Sequence, residues 1–152
     1  MYNVTNCKNR GWGIVIIIAC VDEKGGMLFN NRRQSKDSVL TKHIMQMVGE
    51  SKLWINTFSA GIFEQYIGDK VIIDDEFLSK IGKNDYCFIE NISPNSLKDK
   101  ANKIILYNWK RHYPADKFWD LALDEWNLVS EQDLVGSSHE KITERIYVRG
   151  NV

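Results

Sequence analysis

Cysteine, proline and histidine are scarce, and what is missing narrows the chemistry before any motif is considered. The three cysteines, Cys7, Cys20 and Cys87, are odd in number and far apart, which gives neither a disulfide framework nor paired-cysteine zinc spacing. Two of them lie in apolar runs, as small core residues do, and this points to a reducing compartment. The three histidines, His43, His112 and His139, show no His-x-His-x-Asp-His cluster, so no preformed metal site is expected. No Gly-x-Ser-x-Gly elbow occurs. Net charge is absent too: 20 Lys plus Arg balance 20 Asp plus Glu. The overall basic excess of a nonspecific nucleic-acid binder is therefore missing, although a local basic patch stays open. The longest apolar run covers roughly eight residues, against the ~20 needed to span a bilayer. Asp22-Glu23-Lys24 follows it where a signal peptide would need small residues. The expectation is a cytoplasmic protein with no membrane association.

At 152 residues and 43% hydrophobic, the chain has material for one domain with a proper core and too little for two ordinary ones. Residues 1–12 are polar and without periodicity and read as an N-terminal extension, leaving 13–152 as the domain. The most informative stretch is Gly13-Ile14-Val15-Ile16-Ile17-Ile18-Ala19-Cys20-Val21. It has no period-2 alternation, so it reads as a central strand covered on both faces. From Asp22 the chain turns polar, and a long exposed loop is expected to leave that strand, where α/β sheets commonly place ligands.

Further along, Ser35 or Asp37 can cap a helix running to about residue 48, with Val39, Leu40, Ile44, Met47 and Val48 on one face and Gly49 at its end. Strands are expected over 53–55, 71–73, 86–89 and 103–109, separated by brief helices capped by Ser59, capped by Asp74 or Asp75, and opened by Pro94. Residues 126–130 and 141–148 alternate apolar with polar and suit two half-exposed antiparallel strands joined through Gly136-Ser137-Ser138-His139. The fold class is α/β: a central, mostly parallel sheet flanked by short helices, with C-terminal antiparallel strands.

Several side chains carry two readings. Asn30, Asn31, Arg32, Arg33 and Ser35, with Gln34, form either a ligand contact suited to an anion or a solvated loop. Gly25-Gly26 reads more simply as a turn. Asp37 is either an acid in the cleft or a helix cap, with residue preference and position on the side of the cap. Glu90 faces the cleft or ends a strand. Ser137-Ser138-His139-Glu140 does not make a triad, because adjacent residues cannot, and reads as a turn. His43 and His112 read as surface histidines. Of Trp12, Trp54, Trp109, Trp119 and Trp126, most are expected in packing, with base stacking beside Lys110-Arg111-His112 as the alternative for an exposed one.

The order of elements, Asp22-Glu23-Lys24-Gly25-Gly26-Met27-Leu28-Phe29-Asn30 after the apolar strand, and the closing Tyr113-Pro114-Ala115-Asp116, Trp126-Asn127-Leu128-Val129 and residues 136–149 together resemble dihydrofolate reductase. The likeness covers residues 14–149 and implies that family's fold. In the family, Leu-Pro-Trp and a substrate-binding carboxylate follow the loop. Here that segment is Arg32-Arg33-Gln34-Ser35-Lys36-Asp37-Ser38-Val39, with Asp37 the one nearby carboxylate. The family's phosphate-binding Gly-Arg-x-Thr is replaced by Asn56-Thr57-Phe58-Ser59, and its Gly-Gly pair by Glu90-Asn91. Such a change sets a carboxylate and two side chains where phosphate needs close approach to backbone.

These departures favour a dihydrofolate-reductase-like protein that binds a small molecule or a protein partner without reducing folate and without a cofactor. The alternative is a divergent NADPH-dependent reductase of a pterin-like or other heterocyclic substrate, in which Asp37 handles the proton, Arg32 or Arg33 holds an anionic substrate, Ser59 holds phosphate, and Gly25, Gly26, Thr57 and Glu90 also line the cofactor. A nucleic-acid-binding protein using Arg32-Arg33 and Lys110-Arg111 is the third reading, set back by the neutral charge.

Overall fold

A computed structural model describes residues 15–150 apart from 69, so the N-terminal extension, Cys7, Trp12 and the first residues of the apolar run lie outside the described residues. Strand β1 (Val15–Val21) sits in the middle of a seven-stranded sheet. Its side chains alternate between two cores, as a strand's must. Val15, Ile17, Ala19 and Val21 pack with Phe77, Ile81, Leu97 and Leu121, while Ile16 and Ile18 pack with Leu40, Ile44 and Val48. The lack of period-2 alternation in the sequence is the signature of this two-sided burial, and each fully buried Ile contributes roughly 1.5–3 kcal/mol.

The other strands are β2 (Gly26–Phe29), β3 (Arg32–Arg33), β4 (Leu53–Ile55), β5 (Val71–Ile73), β6 (Tyr86–Phe88), β7 (Ala101–Asn108), β8 (Lys117–Phe118), β9 (Trp126–Leu134) and β10 (Ile142–Arg149). The large sheet runs β5-β4-β6-β1-β7-β10-β9. Its first five strands are parallel, β1 lying between β6 and β7, and β10 joins antiparallel to β7 and to β9. This is the expected class.

Helix α1 (Ser38–Val48) covers β1, with Asp37 as its N-cap and Gly49, at φ 58°, closing it. Leu40, Ile44 and Val48, spaced by four, are buried; Val39 points to solvent at 44% exposure, contrary to its expected place on the apolar face. Among the described residues no helix is long and apolar enough to cross a membrane.

Three expectations are corrected. The segment after β1 is a hairpin rather than an open loop: β2 pairs with β3 across Asn30 and Asn31, both at positive φ (51° and 58°), and with β8 on its other side. Asparagine tolerates that conformation, and two such residues in a row close a two-residue hairpin turn. The brief helices are 3₁₀ turns at Thr57–Ser59, Glu64–Tyr66, Phe77–Ser79 and Pro94–Leu97. The first is capped by Asn56, whose Oδ1 accepts from the Ser59 N–H, so Ser59 lies inside the turn instead of capping it.

Candidate functional site

The C-terminal ends of β1 and β6, the start of α1 and the β2–β3 hairpin enclose a cleft. At its centre Arg33 meets Glu90. The guanidinium donates from Nε to Glu90 Oε2 at 2.6 Å and from Nη2 to Oε1 at 2.8 Å, a two-point ion pair. Arg33 also donates to the Phe58 carbonyl at 3.0 Å and lies 5.3 Å from the centre of the Phe58 ring. The fully buried Ser59 hydroxyl donates to Glu90 Oε1 at 2.8 Å. Hydrogen bonding to Glu90 raises the Arg33 pKa further. The sequence leaves Arg33 open between a ligand contact and a solvated loop and Glu90 open between the cleft and a strand end; the structure joins them as each other's partner.

The neighbouring turn is closed in the same manner. Thr57 donates from its backbone N–H and its hydroxyl to the two oxygens of Asp75, at 2.7 and 2.9 Å. Asn56 Nδ2 donates to Asn91 Oδ1 at 2.8 Å. The donors that the reductase resemblance would assign to cofactor phosphate are thus turned onto a carboxylate and an amide of the chain itself. Beside the Arg33–Glu90 pair lies an inner cavity of about 20 Å³, walled by Cys20, Leu40, Ile44, Phe88, Trp109 and Ser35 among others. That is room for little more than a water, which needs roughly 10–15 Å³.

Asp37, 4% exposed, holds the opposite wall. Its Oδ1 accepts from the N–H groups of Val39 and Leu40, capping α1, and from the Ser137 N–H at 2.9 Å. Its Oδ2 accepts from the Ser138 N–H at 2.8 Å and lies 3.2 Å from His139 Nδ1. Burial pushes this carboxyl up, but the N–H groups of Ser137 and Ser138, the His139 ring and the Leu40 N–H outweigh it and hold Asp37 well below the usual carboxylate range. A group so firmly ionised is poorly suited to donate a proton. The geometry favours the cap over the acid.

Gly136 makes this enclosure feasible: a Cβ there would fall 2.3 Å from Asp37 Oδ2. His139 itself is buried, stacked on Trp109 at 4.5 Å, and its Nε2 faces the hydroxyls of Tyr113 at 3.1 Å and Ser35 at 3.2 Å.

Outside the cleft, Phe29, Asn30, Arg32, Arg33, Gln34, Tyr113 and Pro114 line an open groove of about 390 Å³, within the size range of small-molecule sites, roughly 300–1,000 Å³. Arg32 is exposed and makes no ion pair among the described residues. Gln34 Oε1 is buried without a hydrogen-bond partner on the wall between cavity and groove. The hairpin is anchored by Asp22, which accepts from the N–H groups of Lys24, Gly26 and Tyr113 and from Gln34 Nε2. Burial raises the Asp22 carboxyl, but these donors outweigh it and leave it below its ordinary value. Gly25, at φ 83°, makes the turn, and Gly26 leaves no room for a Cβ, which would sit 2.6 Å from Ala115.

Asn30, Arg32 and Arg33 are therefore gathered on the groove, Ser35, Asp37 and Glu90 on the cavity wall, with Ser59 bonded to Glu90 and Thr57 turned onto Asp75; Asn31 is exposed on the hairpin turn. The sequence reading missed Asp75, Tyr113 and His139 as site residues. Proximity of His139 to Asp37 and Ser35 spans about a hundred positions of chain and left no local signal. His112 is exposed as expected, but His43 is half-buried and bonds Glu144 Oε2 at 2.7 Å. Trp109 and Trp126 are buried and Trp54 and Trp119 half-buried, which suits packing.

No protein-family model and no curated protein sequence matches the chain. Solved structures do: 261 chains match. One is a dihydrofolate reductase from Enterococcus faecalis complexed with NADP(H) and RAB-propyl, at TM-score 0.66 and 11% identity, covering 93% of this chain and 98% of that one. At that identity the likeness speaks for architecture alone. With the parallel strands on β1, the antiparallel β9–β10 pair and the helix over the cleft, this chain has the dihydrofolate reductase fold.

Proposed function

We propose that this protein binds a small anionic ligand in the groove beside the β2–β3 hairpin and does not carry out nicotinamide-dependent reduction. The observation that carries the reading is the closure of the cofactor side: Glu90 is bound by Arg33 and Ser59, and Asp75 holds the Thr57 N–H and hydroxyl. A dinucleotide would have to displace two carboxylates and then lie beside them, which electrostatics opposes. The residues present do not fit NADPH. Open space lies instead on the groove, where exposed Arg32 supplies charge and Phe29 and Tyr113 supply apolar surface.

Because the Enterococcus faecalis enzyme was solved with NADP(H), that cofactor is the first probe. Titration with NADPH, followed by tryptophan quenching and thermal shift with dihydrofolate turnover in the same samples, is expected to show neither binding nor turnover. Micromolar binding refutes the reading. A panel of small carboxylates and phosphates should contain a stabilising ligand whose effect disappears in Arg32→Ala. At 100 times its dissociation constant such a ligand adds ~2.7 kcal/mol, or about 5–11 °C in a domain of this size.

A further inference from the structure

We propose that Ser35, His139 and Asp37 form a nucleophile, base and orienting carboxylate that hydrolyse small carboxylic esters at the mouth of the inner cavity. Ser35 Oγ stands 3.2 Å from His139 Nε2, and His139 Nδ1 stands 3.2 Å from Asp37 Oδ2. The three come from the segment before α1, its N-cap and the turn before β10, and no local motif unites them. Their connectivity is that of a serine hydrolase's charge-orienting chain, which is recognised by geometry and not by order in sequence.

The tautomer follows from the partners. Nδ1 faces Asp37 Oδ2 at 3.2 Å and the Ser138 hydroxyl at 3.0 Å, and that hydroxyl donates its own proton to Asp37 Oδ2 at 3.1 Å, so both oxygens accept and the ring proton sits on Nδ1, which leaves a lone pair at Nε2. Stacking on Trp109 fixes the ring plane. Two hydroxyls, Ser35 and Tyr113, converge on that single lone pair. Only one can donate to it at a time, and the other is free to donate to a bound molecule.

The chemistry balances with these groups and water. Ser35 Oγ forms a bond to the ester carbonyl carbon as its proton passes to Nε2, and the carbonyl π pair moves onto oxygen. With Nε2 now protonated, Tyr113 no longer has a lone pair to donate to and can turn its hydroxyl to the oxyanion. Collapse breaks the bond to the alcohol, which leaves with the proton from Nε2. Water then attacks the acyl-Ser35 ester by the same route, releasing the acid and returning the proton to Ser35. The cavity beside Ser35, walled by Leu40, Ile44, Phe88 and Trp109, holds little more than a water, so the acyl group stays at its mouth and must be short. This activity does not depend on the groove's ligand.

The test uses the full chain with a fluorophosphonate probe and with p-nitrophenyl acetate and hexanoate. Expected are a single covalent adduct on the Ser35 peptide, turnover of the acetate at least ~10-fold faster than of the hexanoate, and no adduct and no turnover above buffer in Ser35→Ala. Tyr113→Phe should keep the adduct and lose ~10²-fold in kcat with KM little changed. His139→Gln should lose ~10²–10⁴-fold; should it fail to fold, Ser35→Ala and Tyr113→Phe still decide. No adduct on Ser35 in protein that melts cooperatively overturns the proposal, as does a Ser35→Ala variant that hydrolyses the acetate at the wild-type rate.

Discussion

Replacing Asp37 by asparagine changes one atom and the charge of a side chain with no solvent exposure. The Oδ1 position receives three backbone N–H groups, from Val39, Leu40 and Ser137, so the amide oxygen of asparagine must go there. The NH₂ is then forced against the Ser138 N–H, a donor that cannot turn away. Leaving this part-buried N–H against another donor costs up to about 1–3 kcal/mol, and the remaining bonds weaken as they cease to be charge-assisted. A loss of about 3 kcal/mol follows, or about 6–12 °C in melting temperature for a domain of this size.

The pH dependence gives an independent check. The folded-state pKa of Asp37 lies below its unfolded value, so its contribution is present above the unfolded pKa of ~3.9 and is lost as pH falls through the lower folded value. Urea unfolding of wild type and Asp37→Asn between pH 7 and pH 2 should show the largest gap at neutral pH and a narrowing one below pH ~4. A gap under about 0.5 kcal/mol at pH 7, within the range of an ordinary surface substitution, or one that does not change with pH, would refute the assignment of Asp37 as an ionised clasp between α1 and the turn before β10.

Other variants test neighbouring contacts. Gly136→Ala drives a Cβ to within 2.3 Å of the Asp37 carboxylate, so chemical denaturation should report a loss of about 1–3 kcal/mol from overpacking. Arg33→Met leaves Glu90, 8% exposed, without its partner; a loss of about 3 kcal/mol is expected, and Arg33→Met/Glu90→Gln should recover at least half of it in the same urea series. Burial pushes the Cys87 thiol up to about 12 and that of Cys20 higher still, with Glu90 adding to the rise at Cys20. Iodoacetamide at pH 8 should therefore leave both peptides unmodified in the native protein and label them in urea, as read by peptide mass spectrometry.

The sheet was legible because its signals are local. Seven consecutive apolar residues in β1 with no polar interruption can only be buried on both faces, and Asp37 to Gly49 carries a helix's cap, stripe and stop within one stretch. The hairpin after β1 was hidden because its turn is Asn30-Asn31 rather than a pairing with glycine, although both residues take the positive φ that asparagine tolerates. The cleft was legible in parts. Glu90 and Arg33 each carry a cleft reading beside a bland one, and a side chain's partner 57 positions away leaves no periodicity with which to choose. His139 was read as part of a turn for the same reason: its neighbours in sequence are Ser138 and Glu140, whereas its neighbours in space are Asp37, Ser35, Tyr113 and Trp109.

Two carboxylates, Glu90 and Asp75, hold the donors on the side where the reductase resemblance would seat a cofactor, and they predict an order in which those donors can be freed. Glu90→Gly/Asn91→Gly removes the carboxylate and both side chains at the end of β6 and leaves the Arg33 guanidinium without its carboxylate partner. Asp75 still covers the Thr57 N–H and hydroxyl, at 2.7 and 2.9 Å, in that variant. A phosphate arriving there meets an anion in place of two donors, so the double variant should bind NADPH no better than wild type. Adding Asp75→Ala leaves those donors uncovered beside an unpaired arginine. One charge-assisted hydrogen bond contributes about 1.5–3 kcal/mol, so the triple variant should gain at least ~10-fold in NADPH affinity by tryptophan quenching, and the gain should weaken with salt. If the double variant already binds as tightly as the triple, Asp75 is no lock. If the triple gains nothing while still melting cooperatively, then the two carboxylates are not what closes this side of the fold.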